Sequence, residues 1–107
     1  MESYLFERNE PFTEKTVLQI GIQILDSLRV IHDAGYIYKD LKLDNVMIGD
    51  DQSLSNSKES LYKCRLIDFG LAKKYLQEDG THIPKKKEQL FQGNFIFASV
   101  NAFNLLT

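Results

Sequence analysis

The chain has 107 residues, of which 43% are hydrophobic and 26% are charged, and its formal net charge is −2. This length predicts at most one domain, and the composition is ordinary for a globular chain. The charge balance gives no electrostatic reason to expect nucleic acid as the main partner, and no apolar run is long enough to predict a membrane span. One cysteine, Cys64, cannot form an internal disulfide, and the first residues lack the pattern of a signal peptide. We therefore expect an intracellular location, cytoplasmic, nuclear or both.

A wide apolar stripe predicts one long helix between Thr13 and Gly35. Thr13 suits the N-cap and Gly35 suits the C′ position, where a glycine commonly ends a helix. The apolar positions form two rows, which together are wider than the stripe of a surface helix: Val17, Leu18, Ile20, Ile22, Ile24, Leu25, Leu28 and Ile31. We therefore expect this helix to be mostly buried.

Two short apolar runs, at 46–48 and 61–67, are typical of strands, and a polar stretch at 49–60 predicts a loop between them. Each run adjoins a cluster of polar residues, at 40–45 and at 68–70. Aspartate and asparagine oxygens are ligands for a hard cation such as Mg²⁺, which needs few protein ligands when phosphates and waters complete its shell. A carboxylate near a lysine can hold a hydroxyl nucleophile while the lysine neutralises a phosphate. Singly, these residues suit a polar turn; together, they favour phosphoryl transfer.

The two clusters together resemble the motifs of protein kinases. Residues 40–45 match the pattern Asp-Leu-x-x-x-Asn in full, and Asp-Phe-Gly follows at 68–70 in the order expected of a kinase. The flanking residues are most similar to the casein kinase I family of serine/threonine kinases, at 44–45, 71–75, 82–84 and 99–101. The resemblance covers nearly the whole chain, from about Phe12 to Ser99.

The resemblance implies an α+β fold, the larger C-terminal lobe of a protein kinase, truncated at both ends. One long buried helix would accompany short β-strands that carry the catalytic loop and the Asp-Phe-Gly loop. We expect residues 1–107 to form a partial kinase domain, with the catalytic loop at 38–45 and the activation segment at 71–101. The glycine-rich loop and the strand lysine that grip ATP would precede this stretch, and the sequence shows neither.

Four residues carry the chemistry that the resemblance implies, which is transfer of the γ-phosphoryl group of ATP to protein serine or threonine. Asp40 would accept or orient the proton of the substrate hydroxyl, and Lys42 would neutralise charge on the transferred group. Asn45 and Asp68 would bind Mg²⁺, and through it the nucleotide phosphates. ATP and Mg²⁺ are therefore the implied cofactors.

The implied partners are protein substrates. The lysines at 73–74 and 85–87 are either a solvated face or an attraction for acidic or already phosphorylated substrates, which resembles the preference of the family. Ile96 stands where the family has an arginine that binds anions, which argues against a need for phosphate-primed substrates. The sequence does not indicate an oligomeric state.

Further departures from the kinase pattern keep a second interpretation open. Tyr38 and Lys39 replace the usual His-Arg, although Tyr38 could fill the space of the histidine. Leu43 and Asn94 stand where the family has proline and threonine. The alternative is a non-catalytic, pseudokinase-like interaction fragment. An upstream glycine-rich loop and strand lysine in the source gene would favour the enzyme.

Overall fold

The computed structural model describes residues 10–49, 63–85 and 91–104. Within these ranges the elements follow in the order α1 (Glu14–Asp33), β1 (Tyr36–Ile37), a 3₁₀ helix (Leu43–Asn45), β2 (Val46–Gly49), β3 (Lys63–Leu66), β4 (Lys73–Lys74) and α2 (Val100–Phe103). The chain divides into two compact units, a hairpin unit (Met1–Arg29 and Leu43–Ile67) and a loop unit (Val30–Lys42 and Asp68–Thr107). Most of the loop predicted at 49–60 lies outside the described residues, as do Leu61, Lys86 and Lys87.

Helix α1 begins and ends at the predicted capping residues. Thr13 Oγ1 accepts a hydrogen bond from Thr16 N at 3.3 Å, and Thr13 O accepts one from Val17 N at 3.0 Å. The first bond satisfies an amide group that the first turn of a helix leaves without a backbone partner, and the second is the first regular backbone bond of the helix. At the other end, Gly35 has φ +86° and donates to His32 O at 2.9 Å. The left-handed conformation of Gly35 explains why a glycine ends this helix.

The expectation that α1 is mostly buried is wrong. Of its residues only Ile20 is buried, whereas Leu18, Ile22 and Leu25 are 61%, 59% and 67% exposed. A helix turns by about 100° per residue, so these three residues lie on the side of α1 opposite to Ile20. The β2–β3 layer packs against the Ile20 side, and a single layer covers one side of a helix. The wide apolar stripe therefore corresponds to two apolar faces of α1, and this structure covers only the face that carries Ile20.

The hairpin unit contains the predicted pair of strands. β2 and β3 are antiparallel, with Val46 opposite Leu66 and Gly49 opposite Lys63. Alternate side chains point to the core, which packs Ile20, Val46 and Cys64 with Phe12, Ile24, Ile48 and Leu66. Gln23 Oε1 accepts a hydrogen bond from Cys64 N at 2.9 Å, which joins α1 to β3. Burial raises the pKa of the Cys64 thiol, as expected for a structural cysteine within a strand.

The loop unit contains a two-residue ribbon that the sequence did not predict. β1 and β4 are antiparallel, with Tyr36 opposite Lys74 and Ile37 opposite Lys73. Tyr75 extends this pairing, because its N–H donates to Gly35 O at 2.8 Å and its hydroxyl donates to His32 O at 2.9 Å. The ribbon thus fixes the start of the expected activation segment beside the segment that leads into the expected catalytic loop.

This helix and its short antiparallel strands are compatible with a kinase-like α+β fold. The assignment to the larger lobe stays a prediction. In the described ranges, no helix combines the length and the apolar character that crossing a bilayer requires.

Candidate active site

The first pair of predicted site residues lies together in the loop unit. Asp40 Oδ2 is 3.3 Å from Lys42 Nζ, and the two side chains are 10% and 30% exposed. A carboxylate and an ammonium group are thereby held at one place, partly shielded from water. Shielding strengthens an ion pair because the effective dielectric constant is lower than in bulk water. The structure therefore brings together the two groups that the predicted chemistry needs, and their catalytic roles stay predictions.

Backbone strain marks two positions in the loop unit. Among the described residues, the non-glycine residues with positive φ are Lys39, at 67°, and Asp68, at 61°. Lys39 directly precedes Asp40, and Asp68 is itself a predicted ligand. Such conformations are uncommon for residues with a Cβ, and they cluster at functional sites. The sequence gives no direct signal for Lys39, because lysine has no special preference for this region.

Asp68 closes a tight turn with its own side chain. Its Oδ1 accepts a hydrogen bond from Gly70 N at 3.0 Å. Aspartate tolerates the left-handed region, and it commonly bonds to the backbone two residues further on. The positive φ of this turn lies at Asp68 and not at Gly70. Gly70 instead provides room, because a Cβ there would lie 3.0 Å from Asp68 Oδ1. The turn fixes the orientation of the carboxylate, whose second oxygen, Oδ2, is not part of it.

Tyr38 and Phe69 form an aromatic contact between the two motifs. Tyr38 is 2% exposed, and its ring lies 5.4 Å from that of Phe69 in an edge-to-face arrangement with an interplanar angle of 74°. This geometry is favourable for aromatic pairs. Tyr38 is thus packed in the interior, as expected if it fills the space of a histidine. Sequence reasoning missed the contact itself, although an aromatic residue beside each motif was visible.

Asn45 lies in the hairpin unit, at the end of the 3₁₀ helix. It is buried, and its carbonyl oxygen accepts a hydrogen bond from Ile67 N at 2.9 Å. This bond extends the strand pairing beyond β3, up to the residue before Asp68. Asn45 and Asp68 belong to different units.

The donor atoms of Asn45 and Asp68 suit Mg²⁺. An amide oxygen and a carboxylate are hard ligands, and magnesium that also binds nucleotide phosphates uses few protein ligands. Within the described part of the chain, no group of three or more His, Cys, Asp or Glu side chains is placed to hold a metal ion. The donor oxygen of each residue by itself fits a metal ion of this kind. The residues present therefore fit the implied metal.

The residues at 91–104 expose apolar groups. Ile96 is 83% exposed, and its N–H donates to Asn94 Oδ1 at 2.8 Å. Phe91 stacks on Phe95 with ring centroids 4.2 Å apart. Ser99 begins α2, since its Oγ accepts a hydrogen bond from Ala102 N at 3.2 Å. At the position where the resemblance places an anion-binding arginine, this chain thus presents an exposed aliphatic side chain.

Comparison with known proteins supports the resemblance. The model of the protein kinase domain family matches residues 2–92. The chain is 35% identical over 91 residues to a probable serine/threonine-protein kinase of Dictyostelium discoideum, covering 85% of this chain and 17% of that protein. It is 32% identical over 98 residues to a probable casein kinase I homolog of Encephalitozoon cuniculi (strain GB-M1), covering 91% of this chain and 28% of that protein.

The chain therefore belongs to the protein kinase domain family, which confirms the kinase resemblance. It spans less than a third of the length of these two curated relatives.

Proposed function

We propose that the protein to which this chain belongs transfers the γ-phosphoryl group of ATP to serine or threonine residues of proteins, in the manner of casein kinase I. The observation that carries the proposal is the Asp40–Lys42 pair, with its carboxylate 10% exposed and its ammonium group 3.3 Å away. Membership of the kinase family supports it, as do two relatives whose names denote serine/threonine or casein kinases. The chain itself corresponds to part of the larger lobe in this proposal.

Asp40 and Lys42 divide the work in this mechanism. The Asp40 carboxylate accepts a hydrogen bond from the substrate hydroxyl and directs its oxygen towards the phosphorus atom. Lys42 supplies positive charge beside the phosphoryl oxygens. Because the two groups already lie 3.3 Å apart, little reorganisation is needed when the substrate binds. The mechanism depends on positioning and charge, as phosphoryl transfer generally does.

Asn45 and Asp68 are the residues that would hold Mg²⁺, which neutralises phosphate charge when it is bound. The turn between Asp68 and Gly70 keeps the carboxylate in one orientation through its 3.0 Å hydrogen bond. The contact between Phe69 and Tyr38 connects this turn to the segment that carries Asp40. The chain thus supports both motifs with packing and hydrogen bonds of its own.

Substrate choice in this proposal follows the exposed charges. Lys74 and Lys85 are exposed, and they would attract acidic protein substrates over a distance set by ionic strength. Ile96 carries no charge and is 83% exposed, so it offers no fork-shaped donor to a phosphate group. We therefore expect acidic substrates without a requirement for prior phosphorylation.

The test is a transfer assay on the full-length protein with labelled ATP, Mg²⁺ and casein. Phosphoamino-acid analysis of the product should show phosphoserine or phosphothreonine. Matched peptides with acidic or neutral residues around one serine would then measure the charge preference. Labelled phosphotyrosine alone would contradict the serine/threonine assignment, and an equal rate on both peptides would contradict the acidic preference.

A second candidate function is a non-catalytic interaction module. The observation that favours it is the exposed apolar side of α1, formed by Leu18, Ile22 and Leu25. An absence of transfer from the full-length protein on casein and on both peptides would favour this candidate over the kinase.

A further inference from the structure

Two consecutive residues, Gln92 and Gly93, contact Lys39 from a position far along the chain. Gln92 Oε1 accepts a hydrogen bond from Lys39 Nζ at 3.1 Å, across a separation of 53 residues. Gly93 packs so closely that a Cβ added to it would lie 2.7 Å from Lys39 O. Lys39 is therefore hydrogen-bonded at its side chain and closely approached at its carbonyl oxygen. All three residues belong to the loop unit.

The contact matters because Lys39 has an unfavourable backbone conformation. Its φ of 67° lies in the left-handed region, where residues other than glycine, asparagine and aspartate are rare. Such a conformation persists when the surrounding structure determines it. The carbonyl group that Gly93 touches belongs to the peptide bond between Lys39 and Asp40. The contact thus acts on the peptide group that sets the direction of Asp40.

We propose that Gln92 and Gly93 are positioning residues for the phosphoryl transfer proposed above. They hold Lys39 in its left-handed conformation, and so keep the Asp40 carboxylate beside Lys42. The inference rests on the proposed function, since a positioning role has meaning only for a reaction at Asp40. The acceptor on Gln92 is a neutral amide oxygen, so the contact with Lys39 is in place without a phosphate group on the expected activation segment.

Gly93→Ala tests the close approach in the full-length protein. The alanine methyl group would collide with Lys39 O, and φ at Gly93 is +117°, so the chain must shift there. Gly80→Ala is the matched control, because Gly80 has φ +78° with nothing within 4 Å of an added Cβ. Both variants place a Cβ on a residue with positive φ and so carry backbone strain, but only Gly93→Ala adds the collision with Lys39 O. Gly93→Ala should lower kcat about tenfold relative to Gly80→Ala, since small misplacements of catalytic groups have large effects on rate. Equal kcat values for the two variants would overturn the proposal.

A double-mutant cycle tests the hydrogen bond with substitutions at exposed or partly exposed side chains. Lys39→Met and Gln92→Leu each remove one partner, and each should lower kcat by about threefold to tenfold while KM for ATP stays near that of the wild type. The double variant should be no slower than the slower single variant. Gln92→Glu keeps an acceptor and should retain kcat near the wild-type value. Independent, multiplicative effects of the two substitutions, or a loss of rate in Gln92→Glu equal to that in Gln92→Leu, would contradict the proposed bond.

Amide hydrogen exchange separates a failure of this inference from a failure of the proposed function. Exchange at residues 39–41 should be faster in Gly93→Ala than in Gly80→Ala, whether or not the protein transfers phosphate. If the wild type is inactive but the exchange difference is observed, the proposed kinase activity is refuted and the contact of Gly93 with Lys39 is supported. If the wild type is active but the exchange difference is not observed, the positioning role is refuted and the proposed kinase activity is supported.

Discussion

Asp40→Asn is the sharpest test of the active site, because it exchanges one oxygen for a nitrogen at nearly constant volume. The asparagine can no longer accept a proton or orient the substrate hydroxyl as a charged group does. General base catalysis typically contributes about 10²–10⁴-fold, so kcat in the full-length protein should fall by roughly that factor. ATP binding should persist, since the residues assigned to the nucleotide phosphates are Asn45 and Asp68.

The effect of Asp40→Asn on stability can be bounded from the ion pair. Removing one partner of a fully buried pair lowers the free energy of unfolding by about 3–5 kcal/mol, whereas an exposed pair contributes about 0.2–1 kcal/mol. The Asp40 and Lys42 side chains are 10% and 30% exposed, so water reaches the lysine that is left behind. We therefore expect a loss between these limits, about 1–2 kcal/mol.

Three measurements check this prediction on the same protein. Single-turnover kinetics give the rate of transfer, calorimetric titration gives the affinity for ATP, and urea denaturation gives the free energy of unfolding. Asp26→Asn is the control, because it makes the same chemical change at an exposed position of α1 and should leave all three quantities near the wild-type values. A near-normal kcat in Asp40→Asn would remove Asp40 from its assigned role. A parallel loss of ATP binding and of stability would mean that Asp40 acts by supporting the structure.

The remaining predictions concern the metal ligand, substrate priming, the buried thiol and the isolated chain. Asp68→Asn keeps an acceptor for Gly70 N but removes the negative charge of the carboxylate, so the affinity for ATP should depend less on the Mg²⁺ concentration. An unchanged dependence in titrations at several Mg²⁺ concentrations would remove Asp68 from the site. Ile96→Arg should raise kcat/KM for phosphate-primed over unprimed peptides more than Ile96→Lys does, and an unchanged ratio would place the anion site elsewhere. Burial raises the pKa of the Cys64 thiol, so iodoacetamide should alkylate Cys64 more slowly in the folded protein than in the urea-unfolded protein. The measurement is made near pH 8, below the ordinary thiol pKa of about 8.5, and equal rates would contradict burial. Residues 1–107 expressed alone should not phosphorylate casein, because the glycine-rich loop and the strand lysine that grip ATP are not among them. Phosphorylation together with a cooperative thermal transition raised by Mg·ATP would show a self-sufficient enzyme.

Local chemistry made several features predictable from the sequence. Thr13 and Gly35 mark the two ends of α1, because capping depends on the residue type at the cap and not on distant residues. The strands β2 and β3 follow from short apolar runs beside polar clusters. Asp40 and Lys42 are two residues apart, so the chain itself keeps them near each other. Each of these predictions needed information from a few neighbouring residues.

Features that depend on distant residues were not predictable in this way. The pairing of β1 with β4 involves two residues from each strand, which is too short for a periodic signal. The bond between Lys39 and Gln92 joins residues 53 positions apart. The prediction for α1 failed for a related reason: periodicity shows that Leu18 and Leu25 are apolar, but it does not show what covers them.

The register of the β2–β3 hairpin has a consequence for how the length of this chain can change. Val46 and Cys64 point to the core, whereas Met47 and Arg65 point away from it. Inserting or deleting one residue inside either strand would exchange its two faces, and in β3 this would bring Arg65 or Lys63 towards Ile20. Related chains that differ in length are therefore expected to keep the number of residues in these two strands.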